Sequence, residues 1–370
     1  MVGWRGSIRS VAEIDPPAAP RRILIIRLSA IGDVILSSGL IPVLKKAWPQ
    51  AEIAWLAEEG NLDLLRHNPG LARVHALPRR RWAGWWKERR YLAVMKEFRA
   101  LVRELRGARY DLVLDIQGLM KSGLLARLTG APTRIGLGSK EGSGLLMTRV
   151  VSRKVDSHLP GKEYRALCRA LGLDVTPYVL NVTVPESEAA AAAGLLARMG
   201  VNGPYVVFAP FTTRPQKHWF DDRWIDLSSR LRGLTGLPVI MLGGPADKEH
   251  AKAIATDLSG GIVDLTGRTN LLAAAAIIRG ARLMVGVDTG LTHLGLAMGA
   301  PTLALFGSTR PYLDPVNPHA RVLYEAMECS PCRRRPTCGG AFTCMRLHSV
   351  DKVMDAIRPL VADARLERAP

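Results

Sequence analysis

Three segments place reactive side chains where an apolar run stops. In Ile23-Leu-Ile-Ile-Arg-Leu-Ser-Ala-Ile-Gly-Asp33, a strand-like run ends in a turn carrying Gly32, and Asp33 opens the helical stretch that follows. A carboxylate at a helix start is commonly an N-cap; at the mouth of a ligand cleft the same group serves as a general base. Position alone leaves both open, and the turn lacks the full glycine pattern of a dinucleotide site. In Phe208-Ala-Pro-Phe-Thr-Thr-Arg-Pro-Gln-Lys-His-Trp219, Thr212 and Thr213 offer hydroxyl donors and Lys217 an ammonium. That set suits a diphosphate, with Trp219 and Trp224 to pack the loop down; a polar surface loop is the alternative. Asp288-Thr-Gly-Leu-Thr-His-Leu294 follows the apolar run Leu283–Val287 and opens an apolar helix. The free N–H groups around Thr289 and Gly290 then form an anion cradle, against the plainer alternatives of Asp288 as an N-cap and His293 as a core histidine.

Two further clusters are less specific. Cys329, Cys332, Cys338 and Cys344 fall within sixteen residues. Four thiolates suffice for a structural zinc, but a ribbon has two Cys-x2-Cys pairs where this segment has one. Reduced structural thiols are the preferred assignment, with Arg333, Arg334 and Arg335 adding phosphate affinity. Between Arg79 and Arg109, eleven Lys/Arg and three Glu interleave with Trp82, Trp85, Trp86, Tyr91 and Phe98. The part after Tyr91 fits a solvated helix face. The Trp-rich part, opened by Arg79, Arg80 and Arg81, suits a membrane interface or a phosphorylated amphiphile. Basic charge with aromatics also serves nucleic acid, but no helix-turn-helix, finger or RNA-binding signature accompanies it, and no nucleic-acid partner is expected.

The elements that must hold these residues alternate in type. Apolar strand-length runs at Ile23–Arg27, Glu52–Leu56, Val74–Leu77, Leu112–Ile116 and Arg134–Leu137 are separated by helical stretches near Val34–Ala47, Tyr91–Leu105 and Leu119–Leu128. The pattern repeats with strands at Tyr205–Pro210, Pro238–Leu242, Val263–Leu265, Leu283–Val287 and Thr302–Phe306, and helices near Asp222–Arg232, Ala246–Leu258, Leu271–Ile278 and Leu291–Met298. Such alternation predicts parallel sheets with crossover helices, twice over. The expected division is an extension over 1–21, domains over 22–185 and 186–348, and a C-terminal helix over 349–370 packing back on the first domain. Ligands of such α/β folds bind outside the carboxyl ends of the strands, so two doubly wound domains imply a central cleft. The 370 residues carry a net charge of +18, of which +14 lies in residues 1–180, so the first half should meet an anionic partner. The N-terminal residues lack the apolar core of a signal peptide, which predicts a cytoplasmic protein.

Arg27-Leu-Ser-Ala-Ile-Gly-Asp33, Asp115-Ile-Gln-Gly-Leu-Met-Lys-Ser122, Thr212-Thr-Arg-Pro-Gln-Lys-His-Trp219 and Val287-Asp-Thr-Gly-Leu-Thr-His-Leu294 together resemble the ADP-heptose:lipopolysaccharide heptosyltransferases of glycosyltransferase family 9. The second and third motifs look most like heptosyltransferase I, and the cysteine tail looks more like heptosyltransferase II. The resemblance spans Ile23 to about Leu360. It implies an α/β GT-B fold of two Rossmann-like doubly wound domains facing a central cleft, the acceptor on the first and ADP-heptose on the second. It further implies inverting transfer without metal or cofactor, Asp33 as general base, and Thr212, Thr213, Lys217, Thr289 and Gly290 on the diphosphate. Asp288 would meet heptose hydroxyls, with His293 near the phosphates. The implied acceptor residues are Ser29, Gln117, Lys121, Arg79, Arg80 and Arg81. The acceptor would be an anionic lipopolysaccharide precursor, reached by peripheral association with the inner face of the inner membrane. One departure is that the glutamate expected on the donor ribose after Val239–Leu242 is replaced by Gly243-Gly-Pro-Ala-Asp-Lys-Glu249, where Asp247 or Glu249 is the substitute.

Overall fold

The computed structural model describes residues 19–255, 261–315, 317–332 and 335–366. Most of the extension expected over 1–21, the end of the helix expected to reach Leu258, and Arg333 and Arg334 lie outside that set. Strands β1 (Arg22–Ile26), β2 (Glu52–Glu58), β3 (Arg73–Leu77), β4 (Leu112–Asp115), β5 (Thr133–Leu137) and β6 (Arg149–Val151) form a sheet in the order β3-β2-β1-β4-β5-β6. Strands β7 (Val206–Ala209), β8 (Val239–Met241), β9 (Ile262–Asp264), β10 (Leu283–Val287), β11 (Thr302–Phe306) and β12 (Ala320–Tyr324) form a second in the order β12-β11-β10-β7-β8-β9. All pairings are parallel. Each sheet starts at its centre, grows outward, then restarts on the other side, so the order reverses between β1 and β4 and between β7 and β10. Those reversal points are where doubly wound sheets open a ligand crevice, and the segments holding Asp33, Thr212 and Asp288 all leave strands beside them.

The central strands are continuous apolar runs because helices cover both their faces; β10 and β11 are buried at every residue. The edge strands β6 and β12 were not expected from sequence. They carry the polar Arg149 and Arg321 and are partly exposed, so the continuous apolar signal is missing there.

Helices of the first unit are α1 (Ile31–Ser37), α2 (Leu40–Ala47), α3 (Asp63–Arg66), α4 (Arg79–Lys87), α5 (Tyr91–Gly107), α6 (Met120–Leu128) and α7 (Lys162–Ala170). Those of the second are α8 (Glu186–Arg198), α9 (Asp221–Thr235), α10 (Lys248–Ala255), α11 (Leu271–Gly280), α12 (Gly290–Ala297), α13 (Thr343–Arg346) and α14 (Val350–Leu366). The single helix expected over Val34–Ala47 is divided into α1 and α2 at Ser38-Gly39. One face of the first sheet, with Leu24, Ile26, Leu56 and Val113, is closed by α4, α5, α6 and the short turn Ser143–Leu146. The other face, with Ile23, Ile25 and Trp55, packs on α1, α2 and α7, and its core runs on into the second unit through α8, α11 and α12. The C-terminal helix corrects an expectation: Val353, Met354, Ile357 and Leu360 of α14 pack with Phe208, Trp224 and Leu231 of the second unit, against α9 and β12, rather than back on the first.

Burial lowers the pKa of three imidazoles below 6.5: His75, bonded to Glu104 and Tyr110; His218, bonded to the Thr212 carbonyl; and His348, bonded to the Phe306 carbonyl. Below about pH 6.5 the unfolded chain takes up these protons before the folded one does, so their contribution is complete above that pH and lost as the medium acidifies. Calorimetry should show a melting temperature that falls from about pH 7 to about pH 5, with a shallower fall in His348→Gln.

Candidate active site

On the first unit the chain leaves β1 through Arg27, passes Ser29 and Ala30, and enters α1. Asp33 is not the N-cap but the third helical residue, and Ala30 is the cap, with its N–H 3.4 Å from Asp33 Oδ2. The principal partner of Asp33 is Arg27, whose guanidinium contacts Oδ2 directly. The arginine side chain is 4% exposed and the aspartate 42%, so the carboxylate looks into the cleft while its counter-ion is fixed from behind. Arg27 Nη1 also donates to the Ile116 carbonyl at 2.9 Å. Burial alone would lower the pKa of Arg27, but Tyr164, Asp33 and Glu163 around it raise it above its ordinary value, so the guanidinium is a fixed cation.

On the second unit Asp288 is the hub. Lys217 Nζ lies 2.5 Å from its Oδ2 and Thr309 donates to the same oxygen at 2.5 Å, while His293 Nε2 stands 3.5 Å from Oδ1. The other imidazole nitrogen meets the Tyr312 hydroxyl at 2.9 Å. Burial works to raise the Asp288 pKa, but His293 and Lys217 outweigh it and hold the carboxyl well below the usual carboxylate range. Thr289 is the N-cap of α12 and Gly290 its first residue, so the free amides at this helix start lie beside the pair. Such a helix start attracts anions. Thr212 is half-buried and Thr213 exposed in the loop after β7, closed by His218 on the Thr212 carbonyl.

The two helix starts abut. A Cβ placed on Gly32 would sit 2.5 Å from His293 Cδ2, and one on Gly290 would sit 2.6 Å from Ile31 Cγ2. A side chain at either position would have to displace His293 or Ile31, so the two glycines let α1 and α12 meet and bring Asp33 beside the Asp288 hub.

The expected acceptor residues divide. The side-chain oxygen of Gln117 accepts from the backbone N–H groups of Leu28 and Ser29 at 3.0 and 3.2 Å, so it holds the loop before Asp33. Asp115, fully buried, accepts from the Gln117 and Gly118 amides and from Ser122, which shapes that turn from below. Arg79 and Lys121 share Glu58, at 2.8 and 3.6 Å, where α4 and α6 begin. Arg81 bridges Glu59 and Glu97, and Arg80 is exposed. Asp247 accepts from the Gly244 amide and Glu249 pairs with Lys252. All five cysteines are free thiols, and among the described residues no group of three His, Cys, Asp or Glu is arranged to hold a metal. The sequence pattern did not single out Arg27, Thr309 or Tyr312. The signal for Arg27 was a charge ending an all-apolar strand, and for Thr309 a polar turn after β11 like those after β7 and β10.

The sequence profile of glycosyltransferase family 9 (heptosyltransferase) matches residues 98–341. The chain is 30% identical to lipopolysaccharide heptosyltransferase 1 of Pseudomonas aeruginosa over 86% of its length and 87% of that protein's. Among solved structures it is similar to Escherichia coli ADP-heptose lps heptosyltransferase II, with a TM-score of 0.74 and 24% identity, covering 93% of this chain and 99% of that one. It is also similar to Escherichia coli heptosyltransferase WaaC with ADP-2-deoxy-2-fluoro heptose, with a TM-score of 0.67 and 25% identity over 91% and 99% of the two chains. The fold is therefore the two-domain GT-B arrangement.

Gly290→Ala should force the helix starts apart at a cost of about 1–3 kcal/mol, the range for overpacking a close contact. Thermal unfolding should report that loss as a lower melting temperature.

Proposed function

Since the chain belongs to glycosyltransferase family 9, we propose that it transfers heptose from ADP-heptose to the Kdo of the lipopolysaccharide inner core, with inversion at the anomeric carbon. The observation that supports this is the approach of an exposed carboxylate, Asp33, to the Lys217–Asp288 pair and the free amides at the start of α12. In the proposed reaction the acceptor hydroxyl gives its proton to Asp33 as its oxygen attacks C1. The bond from C1 to the diphosphate breaks, the electron pair leaves with ADP, and the centre inverts through an oxocarbenium-like state. Charge builds on the departing diphosphate, and groups pre-aimed at that charge lower the barrier. Those groups are Lys217, the hydroxyls of Thr212 and Thr213 and the amides at Thr289 and Gly290, so the diphosphate is met without a metal. Asp288 faces the heptose hydroxyls and His293 the phosphates. Arg27 keeps Asp33 aimed through their direct contact, and Gln117 keeps the Ser29 loop in register.

The acceptor in this assignment is anionic and lipid-anchored. The +14 carried by residues 1–180 and the basic residues Arg79, Arg80, Arg81 and Lys121 suit its phosphates, and the work site is the inner face of the inner membrane. Among the described residues no helix is long and apolar enough to cross a membrane, so association there would be peripheral. A heptosyltransferase II-like acceptor is the second assignment, favoured by the four-cysteine tail. Mass spectrometry of products from Kdo-bearing and already heptosylated lipid A separates the two, since transfer to the first alone is expected.

Asp33→Asn should lower transfer by about 10²–10⁴-fold, the usual contribution of a general base, while ADP affinity stays within twofold by calorimetry. Unchanged turnover would remove the base assignment. Lys217→Ala should weaken ADP binding about ten- to a hundredfold, as expected for losing a charge-assisted contact; equal affinity would take Lys217 off the diphosphate.

A further inference from the structure

Apart from Arg79, Arg80, Arg81 and Lys121 at its edge, the outer surface of α4, α5, α6 and the turn Ser143–Leu146 has no role in the chemistry above, and its composition is unusual. Of the twelve large apolar side chains exposed among the described residues, seven lie on this layer. They protrude rather than pack: Leu92 is 86% and Leu145 92% exposed, and Trp86, Met95, Met120 and Leu124 are also open to solvent. The group is contiguous. Trp86 meets Tyr91 edge-on at 4.8 Å across the α4–α5 turn, α5 packs on α6, Leu124 follows Met120 by one turn, and Met120 reaches the loop at Gly142 beside Leu145.

The same layer is strongly cationic. Its three glutamates between Arg79 and Arg109 are already engaged, Glu88 with Arg90, Glu97 with Arg81 and Trp82, and Glu104 with His75. They do not neutralise Lys87, Lys96, Arg99 or Arg106, which are exposed. Protruding aliphatic tips accompanied by Lys and Arg, with an indole beside them, match a surface that inserts apolar side chains shallowly between anionic headgroups. The most exposed members are leucines, which offer nothing for bases to stack on, so the pattern favours lipid over nucleic acid. The layer closes the face of the first sheet that lies away from the second unit. At its edge α4 and α6 begin at the carboxyl end of the sheet, where Glu58 ties Arg79 to Lys121.

We infer that this layer docks the protein on an anionic bilayer, with Trp86, Leu92, Met95, Met120, Leu124 and Leu145 in the interface and the cleft mouth at its rim. This deepens the proposed use of a lipid-anchored acceptor and rests on it for its purpose. The test uses neither acceptor nor sugar nucleotide, so a failure of docking and a failure of the transfer assignment are read separately.

The full chain is sedimented with vesicles of phosphatidylglycerol and phosphatidylethanolamine, and with vesicles of phosphatidylcholine alone. Binding to the anionic vesicles alone, weakening as salt rises, is expected. The double variant Leu92→Glu/Met95→Glu and the separate variant Leu145→Glu should each reduce it about tenfold or more, since acidic groups replace inserted apolar ones. Leu234→Glu, on α9 of the second unit, should bind as the unaltered protein does. Equal binding to phosphatidylcholine, or unchanged binding by both layer variants, would overturn the inference. So would sedimentation velocity without lipid showing a dimer that Leu92→Glu/Met95→Glu converts to monomer, because the layer would then be a contact between copies of the chain.

Discussion

The constraint that assembles the candidate site is steric. Two helix starts, one from each Rossmann-like unit, meet at Gly32 and Gly290 with no room for a Cβ. Everything chemical depends on that approach. Asp33 and its fixed counter-ion Arg27 belong to the first sheet, while Asp288, Lys217 and His293 belong to the second, and only the touching of α1 and α12 makes them one site. Asp33 lies in the first turn of α1 and Asp288 just before the start of α12, so each carboxylate stands near the positive end of a backbone dipole.

The approach is supported from behind by apolar packing. The face of the first sheet that carries Ile23 and Ile25 shares one continuous core with α8, α11 and α12 of the second unit. The opposite faces are closed separately, by α4 to α6 on one side and by α9 and α14 on the other. The cleft is therefore held by the hydrophobic interior, while the polar groups that line it are free to serve the ligand.

How much of this was legible in the sequence follows from burial. Central strands such as β7 and β10 are buried on both faces and apolar throughout, so they could be read directly; the polar edges β6 and β12 could not. Asp33, Lys217 and Asp288 were legible because each follows an apolar run through a short turn, and in a doubly wound sheet such residues stand beside the cleft. Their partners were not. Arg27 looked like the end of a strand, Thr309 and Tyr312 had no motif, and nothing local indicates that Gln117 turns its oxygen to the Leu28 and Ser29 amides. The destination of α14 was also hidden, since an apolar stripe states that a helix is covered but not by what.

The pairing of Lys217 with Asp288 has a consequence for how a ligand enters. The ammonium that would hold a diphosphate already has a carboxylate on it, and Thr309 and His293 keep that carboxylate in place. On the proposed assignment, occupation of the site is an exchange of one anion for another around Lys217. A weakly charged visitor has little to offer in that exchange, whereas a polyanion brings enough charge to displace the carboxylate and leave it free to accept from neighbouring hydroxyls. On that assignment the resident aspartate would act as a threshold, and selectivity for charge would begin before any contact with the nucleotide or the sugar.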